Sequence, residues 1–199
     1  MPTFDANELV DPFYSLGRLC VTNQRGKDGR LLSNFPVPDD VKKNLFWLCR
    51  TIIEPIQFGK YFGKIVIINS GYRCPAVNTA VGSHLGSQHL TGEAADIHVV
   101  GVPHVEVADW IASQFDIDFG QLILENFRNG SGPGTGWVHV SLPRSGSKKQ
   151  RVLSREKRIL MRGSKAYIPV NGTFAEALAK HSVTGQQFTH PAVISHKRH

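Results

Sequence analysis

Two stretches far apart in the chain constrain it most: Ser87-Gln88-His89-Leu90-Thr91-Gly92-Glu93-Ala94-Ala95-Asp96, and Trp137-Val138-His139-Val140-Ser141. His89, Asp96 and His139 each stand at an edge of regular structure, where a rigid sheet can fix a side chain as a metal site requires. Any one of them alone reads as an ordinary surface or capping residue. Together, two imidazoles and a carboxylate match a catalytic zinc site, in which three side chains bind and one position stays open; structural sites close with four ligands, mostly thiolates. Cys20, Cys49 and Cys74 are scattered, form no C-x-x-C pair and read as free thiols.

Composition sets the bounds. With 199 residues the chain can build one well-buried core and is too short for two large domains. A hydrophobic fraction of 41% and a charged fraction of 20% are those of a folded, globular body. No apolar run approaches the about 20 residues of a membrane helix, so no membrane span is expected. The start, Met1-Pro2-Thr3-Phe4-Asp5-Ala6-Asn7-Glu8, lacks the basic and apolar regions of a secretory signal, so synthesis in a bacterial cytoplasm is expected. The net charge of +7 favours polyanionic partners. Much of the excess lies in Arg144, Lys148, Lys149, Arg151, Arg155, Lys157, Arg158, Arg162 and Lys165, opposed only by Glu156. That run has no interleaved aromatics and no recognisable reading helix, so nucleic acid is not an expected partner.

Along the chain, residues 1–37 read as an irregular leader with one short hairpin at Gly26-Lys27-Asp28-Gly29, residues 38–152 as the main domain, and residues 153–199 as a basic C-terminal extension. Asp39-Asp40 can cap a helix over residues 41–58, whose apolar face is Val41, Leu45, Leu48, Ile52 and Ile56. A strand over 64–69, a polar turn, a short helix over 76–81 and a loop lead to His89. The strand over 94–100 puts Ala94, Asp96 and His98 on one face and Ala95, Ile97 and Val99 on the other. An amphipathic helix over 105–115 carries Val107, Ile111 and Phe115 on one stripe. Strands over 121–127 and 136–142 then form a hairpin around the glycine-rich residues 128–135. The two-residue period turns Ile123 and Glu125 to one face, and Trp137, His139 and Ser141 to one face, so Glu125 and His139 can share a pocket. Past Met161 only a short helix around 173–180 is expected.

The pattern Ser87-x-His89-x-x-Gly92-x-Ala94-x-Asp96 with the later Trp137-x-His139 resembles the signature of the zinc D-alanyl-D-alanine carboxypeptidase family of peptidoglycan peptidases, which includes VanX-type dipeptidases and phage L-alanyl-D-glutamate endolysins. Ser70-Gly71-Tyr72-Arg73, Pro75 and Asn78 fit the same pattern, and the likeness spans residues 38–151. It implies an α+β fold, a small antiparallel sheet flanked by helices of the hedgehog-like zinc type, with Zn2+ held by His89, Asp96 and His139. It also implies a catalytic Arg73 that neutralises a developing oxyanion or holds a substrate carboxylate. Ser87 would touch substrate or orient the ligand loop, and Trp137 would wall the pocket. Many members carry an acid three residues before the last ligand, where this chain has Gly136. Glu125, which resembles the acidic residue of a phage-type subgroup, is the expected substitute that takes a proton from water and passes it to the leaving amine. Glu93 comes second and reads as a solvated surface residue, being opposite in parity to Asp96. His98 reads as a polar neighbour of the site and His84 as a loop residue.

Two functions follow as expectations. One is a zinc peptidase that hydrolyses the peptide stem of bacterial peptidoglycan, as a phage lysin or virion-associated wall hydrolase whose cationic segment helps it reach an anionic wall. The other is a metal-binding structural component of a phage tail or other assembly, without catalysis, docked to virion proteins through the C-terminal extension.

Overall fold

The computed structural model describes residues 6–61, 63–114, 116–125, 136–144, 158–162 and 167–184. Its strands follow from period-two alternation: β1 (Val66–Ser70), β2 (Ala94–Val99), β3 (Gln121–Glu125) and β4 (Trp137–Ser141) are short, rich in β-branched residues, and lie in the order β1-β2-β4-β3. All three pairings are antiparallel, with Asp96 opposite His139 and Ile123 opposite His139 on its other side. With its helices this is the α+β fold expected from the sequence. The sheet also continues where no strand was anticipated: β5 (Arg158–Arg162) runs parallel to β3, and β6 (Tyr167–Pro169) runs antiparallel to β5. β5 begins and ends on arginine within the basic run, which is why the charge pattern masks it as a solvated stretch.

One face of the sheet is apolar. Ala95, Ile97, Val99, Leu122, Leu124, Val138 and Val140 are buried there against the helices. The long helix behind them begins as α2 (Asp39–Leu48), passes through a π turn (Cys49–Ile53) and ends as α3 (Glu54–Phe58). Its expected stripe Val41, Leu45, Leu48, Ile52 and Ile56 is buried throughout. Asp39 and Asp40 lie inside the first turn, after Pro38, and make no side-chain cap; there they complement the helix dipole instead. The π turn precedes Pro55, which lacks the N–H needed to continue an i→i−4 ladder, so the widened turn absorbs the break. Helix α5 (His104–Ser113) packs on the sheet, with Val107, Ala108 and Ile111 buried. Phe115 falls outside the described residues, as do the hairpin tip at 128–135 and most of the basic run.

The leader contributes to this same core. In and around α1 (Leu16–Leu19), the side chains of Tyr14, Leu16, Leu19, Cys20 and Val37 are buried with the sheet and helices, and an isolated bridge between Arg25 and Leu31 forms the expected small hairpin. Leader and helix also close the sheet's rim at β1: Arg18 donates to the Val66 carbonyl at 3.4 Å, and Gln57 accepts from the Val66 N–H at 3.0 Å. At the other end α6 (Phe174–Thr184) begins with a capping box, Thr173 Oγ1 accepting from the Glu176 N–H at 3.1 Å and Glu176 accepting from the Thr173 N–H at 3.0 Å. Asp109 of α5 accepts from the Phe174 N–H at 2.5 Å and so anchors α6 to the body. A six-residue helix, α4 (Pro75–Ala80), leads into the loop before His89. No described helix is long and apolar enough to cross a membrane.

Candidate metal centre

The opposite face of the same strands is polar, because the alternation that turns Ile97 inward turns Asp96 outward. Asp96 and His139 are directly opposed on β2 and β4, while His89 arrives from a 3₁₀ turn (Gln88–Thr91) just before β2. Gly92 ends that turn at φ +71°, and a Cβ there would lie 2.9 Å from the Val41 carbonyl, so only glycine lets the chain fold this tightly under α2. The three side chains are buried, and the atoms they present form a small triangle. Asp96 Oδ1 lies 2.9 Å from His139 Nδ1 and 3.3 Å from His89 Nε2, and the two imidazole nitrogens are 3.3 Å apart.

The tautomer of His89 is fixed by its other nitrogen. Nδ1 lies 2.6 Å from the Gly71 carbonyl oxygen, which can only accept, so Nδ1 carries the proton and Nε2 presents a lone pair to the triangle. Burial lowers the His89 pKa below its ordinary value; Asp96 opposes this, and His139 and Arg73 reinforce it. This favours the neutral imidazole, the form a metal ligand takes. For Asp96, burial alone would raise the pKa, but the contacts with His89 and His139 outweigh it and hold the carboxyl well below the usual range. Arg73 pairs through Nη2 with Asp96 Oδ2 and donates from Nε to Ser70 Oγ at 2.7 Å. One carboxylate oxygen thus faces the guanidinium and the other faces the imidazoles.

Two nitrogens and one oxygen in this setting fit zinc. Zinc ligand bonds of about 2.0–2.1 Å in a tetrahedron place donors roughly 3.3–3.4 Å apart, close to the triangle found here. His89, Asp96 and His139 are also the group among the described residues whose donor atoms all lie within 4.8 Å of one another.

The remaining expected residues fall around this point. Glu125 is buried on the site face of β3, paired with Trp137 and two residues along from Ile123, which is opposite His139. Such a diagonal neighbour sits about 7–8 Å away between backbones, within a glutamate's reach of the site. It is not one of the three mutually close donors. Trp137 is half-buried, with its indole N–H lacking a hydrogen-bond partner among the described residues. Ser87 sits at the start of the 3₁₀ turn, its hydroxyl accepting from the His89 N–H at 3.4 Å. Gly136 has φ +95°, a backbone conformation that disfavours any side chain, so the family's usual acid has no ready place there. Glu93 is not the solvated residue expected: it is buried and accepts from Thr91 Oγ1 at 2.9 Å, because the tight turn at Gly92 tucks it under the sheet end. His98 pairs with Asn69 at 3.1 Å, and His84 Nδ1 accepts from the Gly86 N–H.

Sequence reasoning missed the groups that hold the ligands rather than bind metal. Gln88, beside His89, donates to the Leu142 carbonyl at 2.9 Å and accepts from Ser141 Oγ at 3.0 Å. Ser141 in turn accepts from the Gln121 N–H. Parity had already placed Ser141 on the face of His139, which was the available signal.

A sheet face with two imidazoles and an ion-paired aspartate converging on one point is the layout of a mononuclear metal centre. The family model for Peptidase M15 matches residues 41–140, and the chain belongs to that family, the zinc D-Ala-D-Ala carboxypeptidase and VanX-type peptidases. M15 peptidases are zinc-dependent metallopeptidases, and membership marks this chain as a hydrolase acting on peptidoglycan-type substrates. Comparison with curated proteins returns no match.

Proposed function

We propose that the chain is a zinc peptidase that cleaves the peptide stem of bacterial peptidoglycan, serving as a phage lysin or virion-associated wall hydrolase. The observation that carries this reading is the triangle of Asp96 Oδ1, His89 Nε2 and His139 Nδ1, with donors 2.9–3.3 Å apart. These residues would hold zinc, which when bound supplies Lewis acidity to a carbonyl oxygen and acidifies water. Glu125 accepts a proton from the attacking water and delivers it to the leaving amine. Arg73 holds Asp96 in register through Nη2, and its Nη1, which makes no hydrogen bond among the described residues, is the donor left for a substrate oxygen. Trp137 walls the pocket beside Glu125, and Ser87 fixes the turn that bears His89. The net positive charge supports an encounter with an anionic wall.

Gly136 favours a second reading, a metal-binding component of a phage tail or other assembly without catalysis, since its backbone excludes the usual acid. Glu125→Gln decides between them in a wall-digestion assay with zinc content measured in parallel. Under the peptidase reading the variant keeps its zinc and loses about 10²–10⁴-fold in rate. Zinc-loaded wild-type protein that releases no muropeptides supports the second reading. Mass spectrometry of the released fragments identifies the bond cut.

A further inference from the structure

We propose that Asn34, in the leader and outside residues 41–140 of the family match, is a positioning residue for the metal centre; this rests on the zinc reading above, though not on the cleavage step. The four residues Gly71–Cys74 form a strap whose attachments alternate. The Gly71 carbonyl accepts from His89 Nδ1, and the Arg73 N–H donates to the His89 carbonyl at 2.9 Å, so the strap holds this ligand by ring and by main chain. Between them, the Tyr72 N–H donates to the Leu19 carbonyl at 2.9 Å, and the Cys74 N–H donates to Asn34 Oδ1 at 2.8 Å. The strap therefore grips the site with one edge and is gripped by the leader with the other.

Asn34 is 1% exposed and uses both ends of its amide, donating through Nδ2 to the Cys20 carbonyl at 3.0 Å while accepting from Cys74. A primary amide supplies a donor and an acceptor at opposite ends of one short, rigid group. Aspartate keeps the acceptor toward Cys74 but sets a second oxygen against the Cys20 carbonyl; alanine leaves both main-chain groups without a partner in a buried place. At Leu19 the strap already lies so close that a Cβ on Gly71 would collide with the Leu19 carbonyl, so Asn34 is the side chain that fixes its far end at Cys74. Slack at Cys74 is passed to the two neighbours that matter: Arg73, which holds Asp96, and the Gly71 carbonyl, which fixes the His89 tautomer. Two of the three donors thus depend on a side chain that touches neither metal nor substrate.

The test uses the full chain and compares Asn34→Ala and Asn34→Asp with Phe174→Leu, a control that loosens the core at α6, away from the strap. Zinc affinity is measured by competition with a chromophoric chelator, ligand geometry by the visible spectrum of the cobalt form, and stability by thermal melting. Asn34→Ala is expected to weaken zinc binding about 10–100-fold and to shift the cobalt bands, with Asn34→Asp less affected because the Cys74 bond survives. Phe174→Leu is expected to lower the melting temperature with zinc affinity and spectrum unchanged. Wild-type affinity and spectrum in both Asn34 variants, with only the melting temperature lowered, would overturn the proposal. Wild-type protein that binds zinc yet leaves cell walls intact ends the peptidase reading and leaves this inference standing; wild-type protein that takes up no zinc ends both.

Discussion

The two faces of β2, β3 and β4 are built from the same strands and obey opposite rules. On the inner face, Ala95, Ile97, Leu122, Leu124, Val138 and Val140 need only fit, since an apolar side chain is satisfied by any well-packed neighbour. On the outer face the buried polar groups around the site need specific answers. Asp96 is met by Arg73 and two imidazoles, His89 by the Gly71 carbonyl, and Ser141 by Gln88. A buried charge or amide without its partner costs free energy, whereas a slightly smaller aliphatic group leaves only a cavity. The inner face thus tolerates exchange of residue type, and the outer one tolerates very little.

Substitutions on the two faces should separate metal binding from stability. The largest effect is expected for Asp96→Ala, which removes a donor and leaves the half-buried Arg73 guanidinium without its counter-ion. Stoichiometric zinc uptake should vanish, and denaturant titration of the apo form should show a loss of about 3–5 kcal/mol. Ile97→Ala, its neighbour on the inner face, should cost about 2–5 kcal/mol in the same titration while zinc uptake stays stoichiometric. Equal loss of zinc in both variants would break the distinction between the faces. Ser141→Ala sharpens it further, because Ser141 binds no metal: stranding Gln88 and the Gln121 N–H should cost about 1–3 kcal/mol, and chelator competition should show zinc affinity down about tenfold.

The smallest and most gradual effect is acid sensitivity. His89 has a folded-state pKa below its ordinary 6.5, so below that pH the unfolded chain takes up a proton that the folded one refuses. The contribution is fully present above pH about 6.5 and is lost as pH falls toward the lower folded value. Asp96, also lowered, contributes in the same sense at still lower pH, from its ordinary 3.8 downward. Melting curves of the apo protein between pH 8 and 5, with a His89→Gln variant as reference, should show the wild type losing stability faster than the variant.

Much of this arrangement is legible in the chain because two-residue alternation and helical spacing are strong signals. They place Ile97 against Asp96, Glu125 and His139 on one face, and Val41 through Ile56 on a single buried stripe. The three donors could be named because the chain resembles the family's motif around them; alternation added only that Asp96 and His139 sit on defined strand faces. What escaped notice is held by main-chain groups and by loops. No periodicity marks Asn34, the Gly71 carbonyl is invisible as a residue type, and Gln88 looks like any polar residue beside a turn. Glu93 was misjudged because parity says which way a side chain points and not what the adjoining turn lays over it. β5 was missed because its arginines outweigh the apolar residues between them in any reading of charge.

The closed rim at β1 bears on how the molecule behaves in company. An unblocked terminal strand offers a ladder to any other extended chain, including another copy of itself. With Gln57 and Arg18 occupying both main-chain groups of Val66, this position has no ladder bond left to offer an incoming strand.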